Sequence, residues 1–106
     1  FADANLAFAG FVRQYPRSGY VPSARFWLGN AQYAAREYKE AIGNFKMLLS
    51  EAPGHARAPE AALSIANCQI ELKETRTARK TLEDLLRDYP QSEAAVAAKE
   101  RLSRLK

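Results

Sequence analysis

The chain has 106 residues, 47% of them hydrophobic and 26% charged, with a formal charge of +4. That suits one globular domain, excludes a disordered chain, and leaves no apolar run near the roughly 18 to 20 residues a membrane helix needs. The single cysteine, Cys68, excludes an intramolecular disulfide scaffold, and the 16 basic and 12 acidic residues read as solvated helix faces, without the aromatic-interleaved basic patch of a nucleic-acid surface.

The first predicted element covers 1–16. Ala4, Phe8, Phe11, Val12 and Tyr15 follow an i, i+4, i+7, i+8, i+11 spacing, one stripe on one helix face. Pro16 stops it, because a proline disfavours helix in the residue before it. Pro22 then suits the first turn of a helix over about 22–35, where its missing N–H has no intrahelical role. Ala41, Phe45, Leu48, Leu49 and Ala52 repeat the first stripe up to Pro53. Pro59 opens a helix over about 59–73. Ala78, Leu82, Leu85, Leu86 and Tyr89 carry the stripe a third time up to Pro90, and a last helix is predicted over about 92–105. Strand signals are absent.

Tyr15-Pro16 and Tyr89-Pro90 stand 74 residues apart, and half of that distance lands on Ala52-Pro53. The chain falls into register at a period of 37. Ala4, Ala41 and Ala78 align, as do Phe8, Phe45 and Leu82, and Leu28, Ile65 and Leu102. The expected fold is all-α: about six helices in antiparallel pairs, stacked so that neighbours bury stripes that no pair covers alone. One domain, 1–106, is expected to hold the second helix of a truncated first repeat (1–16), a repeat at 22–53, a repeat at 59–90 and a C-terminal capping helix at 92–106. The chain opens on Phe1 rather than Met and reads as a piece of a longer protein, so the missing leader says nothing about export.

Leu28-Gly29 followed by Ala41, Phe45 and Pro53 resembles the tetratricopeptide pattern, and Ile65-Ala66, Ala78, Leu82 and Pro90 repeat it. The period exceeds the usual 34 by three, with the extra residues between Pro16 and Pro22 and between Pro53 and Pro59. With that lengthened turn, FVRQYPRSGYVPSARFWLG and DYPQSEAAVAAKERL resemble the C-terminal domain of the CpoB family, formerly YbgF. The resemblance implies a periplasmic cell-division coordinator of Gram-negative bacteria. It implies an N-terminal coiled coil that trimerises the protein, a repeat domain that binds TolA, and a link through a class A penicillin-binding protein to septal peptidoglycan synthesis. No coiled coil is present in this stretch.

No reaction centre is expected, and no cofactor or metal. His55 follows Pro53-Gly54 in an inter-repeat turn and reads as a solvated surface group. Cys68 reads as a small buried or half-buried apolar group. Glu37, Glu40 and Glu51 read as surface charges. The candidate site is instead a concave groove lined by the first helix of each pair. One wall carries Ser23, Phe26, Asn30 and Tyr33; the next carries Glu60, Leu63, Asn67 and Ile70. Asn30 and Asn67 are one period apart, and each amide offers donors and an acceptor. They either hold the backbone of an extended peptide or bond to neighbouring helices and water. Phe26 and Tyr33 are candidate apolar anchors, and Trp27 is expected to pack against an adjacent helix. Phe8 and Phe11, lacking a covering helix, predict self-association through that end.

Two other readings stay open. One is another envelope repeat protein, such as a BamD-type outer-membrane assembly lipoprotein. The other is the non-catalytic repeat domain of a larger cell-wall enzyme. Neither nucleic acid nor membrane insertion is expected.

Overall fold

The structure, a computed structural model, describes residues 21–105. Among the described residues there are five helices and no strand. They are α1 Val21–Ala34, α2 Tyr38–Glu51, α3 Ala58–Glu71, α4 Thr75–Asp88 and α5 Glu93–Arg104. The helix expected at 1–16, with Phe8 and Phe11, lies outside the described residues. Each proline sits where its chemistry allows. Pro22 and Pro59 are the second residues of α1 and α3, while Pro53 and Pro90 follow the last turns of α2 and α4.

Consecutive helices pack on one another, and α1, α3 and α5 also touch in sequence. By contrast α2 and α4 stay apart. The layer made by α1, α3 and α5 is therefore the tighter one, which is the inner side of a curved array.

The core is built mostly from alanine, with a few large side chains wedged between helices. Phe45, Leu48, Leu82, Leu85 and Cys68 are the largest fully buried ones. Phe45 sits edge-on to Phe26 at 6.1 Å, in a cluster with Ala58, Ala61 and Ile65. A second cluster joins Ala62, Ala66, Leu82 and Leu85 to Ala94, Ala95 and Ala98. Gly29 is required by Phe45: a Cβ there would lie 2.7 Å from two ring carbons. At the same register in the next repeat, Ala66 and Leu82 replace Gly29 and Phe45, so the smaller side chain makes room for a methyl.

The polar contacts repeat as well. Asn44 Nδ2 donates to Gln32 Oε1 at 2.7 Å, tying α2 to α1. One period later the Thr81 hydroxyl donates to Gln69 Oε1, also at 2.7 Å, tying α4 to α3. Gln69 is the buried polar residue that this bond explains. The turns inside each pair match too. Arg36 and Lys73 take left-handed φ values of 65° and 64°. Each is closed by equivalent bonds: Glu37 N–H to Gln32 O and Glu74 N–H to Gln69 O, both 2.8 Å. This is the ending usually given to glycine, here made twice by a long cationic residue.

The turns between pairs differ at the helix start. Ser92 caps α5, its hydroxyl accepting from Ala95 N–H at 3.1 Å. His55 occupies the equivalent place before α3. Its Nδ1 accepts from Arg57 N–H at 3.0 Å, which leaves the proton on Nε2 to donate to Ser23 Oγ at 3.2 Å. The expectation of a solvated surface histidine is corrected: the half-buried ring joins the turn to α1.

On α5, Lys99, Glu100 and Ser103 stand at the register places of Ala62, Leu63 and Ala66 and are exposed, as is Val96.

Candidate functional site

A helix turns about 100° per residue, so Leu63, Asn67 and Ile70 share one face of α3, nearly opposite Ala62 and Ile65. Ala62 and Ile65 are buried, and the other three are half-buried. The same rotation puts Phe26, Asn30 and Tyr33 on one face of α1. On these faces Asn30, Tyr33, Leu63, Asn67 and Ile70 are half-buried, while Phe26 is buried in the core.

Asn30 is half-buried and has no side-chain hydrogen bond among the described residues. Asn67, one period on, is engaged: its Oδ1 accepts from Arg101 Nε of α5 at 2.8 Å. Arg101 Nη1 also donates to Ala97 O at 3.4 Å. Equivalent in sequence, the two asparagines are unlike in the fold, and the second does bond to a neighbouring helix. Arg101 is the residue that the repeat pattern did not bring forward, because its register partners are Ser64 and Trp27.

Tyr33 is half-buried and meets Tyr38 edge-on, with ring centroids 5.5 Å apart. Burial raises its phenol pKa above the ordinary value, and the Glu71 carboxylate raises it further, while Arg101 acts against them. Tyr33 on α1 thus feels Glu71 of α3 and Arg101 of α5.

Phe26 is corrected as a ligand anchor. It is 4% exposed and belongs to the core cluster with Phe45. Trp27 is corrected in the other direction: it is 45% exposed rather than packed away. It meets Phe26 edge-on at 5.1 Å, and the Arg57 guanidinium lies 5.5 Å from its ring centroid. The two neighbours exchange the roles that the sequence suggested, because Phe26 points into the space between α1, α2 and α3. Leu63 packs at the edge of the second cluster.

Cys68 is fully buried among Phe26, Phe45 and Ile65. Burial pushes its thiol up to about 11, so it stays protonated and unreactive at neutral pH. Among the described residues no three His, Cys, Asp or Glu side chains come together as a metal site requires. Among them, too, no helix is long and apolar enough to cross a membrane.

The architecture has counterparts. The tetratricopeptide repeat model matches residues 32–102, two thirds of the chain. The chain is also similar to the cell division coordinator CpoB of Escherichia coli (strain K12), at 48% identity over 31 residues. That stretch is 29% of this chain and 12% of CpoB. The family match, the paired helices and the 37-residue register agree, and the chain belongs to the tetratricopeptide repeat family, a fold used for protein–protein interaction.

Proposed function

We propose that this chain is the partner-binding domain of a periplasmic cell-division coordinator, holding an extended segment of TolA along the inner faces of α1 and α3. In that role it links outer-membrane constriction to septal peptidoglycan synthesis by way of a class A penicillin-binding protein, and a coiled coil elsewhere in the protein assembles it as a trimer. Catalysis has no part in this reading.

The observation that carries it is Asn30. A half-buried amide with no side-chain partner among the described residues sits on the inner layer, one period from a second amide on the same wall. Such an amide suits a peptide backbone, to which it gives and from which it takes a hydrogen bond. Tyr33 and Ile70 flank the two amides and supply apolar contact. The similarity to the cell division coordinator CpoB supports the choice of partner.

The test is calorimetric titration of soluble TolA into the chain and into two variants. Asn30→Ala is expected to weaken binding with an unchanged melting temperature. Adding Asn67→Ala is expected to bring the loss to about tenfold, two hydrogen bonds of roughly 0.5–1.5 kcal/mol being at stake. Unchanged affinity in the double variant overturns the groove, and no binding by the parent chain overturns the partner.

A further inference from the structure

One face of α1 carries no charge. Ser23, Trp27, Asn30 and Ala34 follow an i, i+4, i+7, i+11 spacing and share it. Trp27 and Ala34 are exposed, and Ser23 and Asn30 are half-buried. One period later Glu60 and Glu71 stand in place of Ser23 and Ala34. Two periods later Arg101 and Arg104 stand in place of Trp27 and Asn30. The one charged residue of α1, Arg25, pairs with Glu51 of α2. Stacking of the repeats does not call for a tryptophan here, since Ser64 and Arg101 hold its place elsewhere.

The ring of Trp27 is backed on one side and open on another. Phe26 meets it edge-on with centroids 5.1 Å apart, and Phe26 in turn rests on Phe45 in the core. The Arg57 guanidinium lies 5.5 Å from the indole centroid and pairs with Glu60 at 3.1 Å, so the cation beside the ring is neutralised. Among the described residues the indole N–H has no acceptor and the Asn30 amide has no partner. These two groups stand one helical turn apart.

We propose that this face of α1 binds a proline-rich segment of a protein partner. The lack of charge on the face matches a neutral occupant. The open part of the indole takes a flat apolar group laid against it, and a pyrrolidine ring is one. The indole N–H can only donate, and the Asn30 amide adds a second donor, so the occupant brings carbonyls. A prolyl carbonyl is an acceptor that comes with no N–H to be left unpaired. The segment is also extended before it binds, because the ring locks φ and polyproline II needs no internal hydrogen bond; little ordering is left to oppose association.

The site shares Asn30 with the groove proposed for TolA, but it rests on Trp27 and on a different ligand. Loss of TolA as the partner leaves it standing, and its own failure leaves TolA binding untouched.

The probe is a fluorescein-labelled octaproline amide, followed by anisotropy as the 106-residue chain is added. Serine-glycine and glutamate peptides of the same length and label are the controls. Trp27 is the only tryptophan, so its emission gives a second reading with unlabelled octaproline. A saturable rise in anisotropy is expected with octaproline, along with a blue shift of the emission on the same curve. Trp27→Ala is expected to weaken binding by at least about tenfold, and Asn30→Ala by a smaller factor. Both variants are expected to keep the melting temperature, since neither side chain belongs to a core cluster. No saturable binding overturns the proposal. So does equal binding of either control peptide, an anisotropy rise that leaves the Trp27 emission unmoved, or full affinity in a folded Trp27→Ala.

Discussion

In the first repeat Phe45 presses on Gly29; in the second, Leu82 and Ala66 hold the same two places. In the first, Arg25 of α1 pairs with Glu51 of α2; in the second, the buried Ala62 stands in its place. In the first, Tyr33 meets Tyr38 edge-on; in the second, those places hold Ile70 and Thr75. The backbone is nevertheless the same in both, down to the left-handed residue in each turn. The period therefore fixes the scaffold by the sum of volumes at paired positions, not by residue identity at any one of them.

The largest effect expected is at the centre of each core. Phe45→Ala should cost about 3–5 kcal/mol, and Leu82→Ala about 2–5 kcal/mol, in denaturant unfolding. A Phe45→Ala loss below 1 kcal/mol would mean that the first repeat does not rest on its phenylalanine. Next comes the close contact itself. Gly29→Ala should destabilise by about 1–3 kcal/mol, because the ring is fully buried and has nowhere to move. Combined with Phe45→Leu, which recreates the pair of the second repeat, Gly29→Ala should cost far less. A double-mutant cycle measures the difference, and strict additivity would refute the volume argument.

The helix caps give a smaller contrast. Ser92→Ala removes the hydroxyl that caps α5 and should cost about 1 kcal/mol. At the equivalent place His55 does not cap α3 but bonds Arg57 N–H and Ser23 Oγ, so His55→Ser should lower the melting temperature by losing the tie to α1, as judged by thermal melts. The smallest effect carries a sign. Arg36→Gly and Lys73→Gly each relieve a left-handed non-glycine residue and should stabilise by no more than about 1 kcal/mol. Opposite signs at the two turns would show that their matching geometry conceals different surroundings.

The helices could be read from the sequence because their stripes recur three times with prolines at fixed distances. A local signal repeated in register leaves little freedom. The site was less readable, for a physical reason that Phe26 and Trp27 make plain. Adjacent residues on a helix are separated by about 100°, and a small rotation decides which aromatic enters the core. Periodicity also drew attention to agreement, Asn30 with Asn67, and so passed over disagreement. Arg101 against Ser64, and Arg25 against Ala62, are departures from the repeat, and these are where the bonds to Asn67 and to Glu51 arise. The role of His55 was hidden because a turn imidazole that bonds Arg57 N–H and Ser23 Oγ has no common sequence signature, whereas Ser92 in the same place is an ordinary N-cap.

Each helix of this array meets only its near neighbours, and the two ends never touch. Such a body behaves under load like a short strip, not a sphere. α3 alone touches every other helix, so its loss would break the strip in two, α1 with α2 and α4 with α5, whereas loss of α1 or α5 would only shorten it.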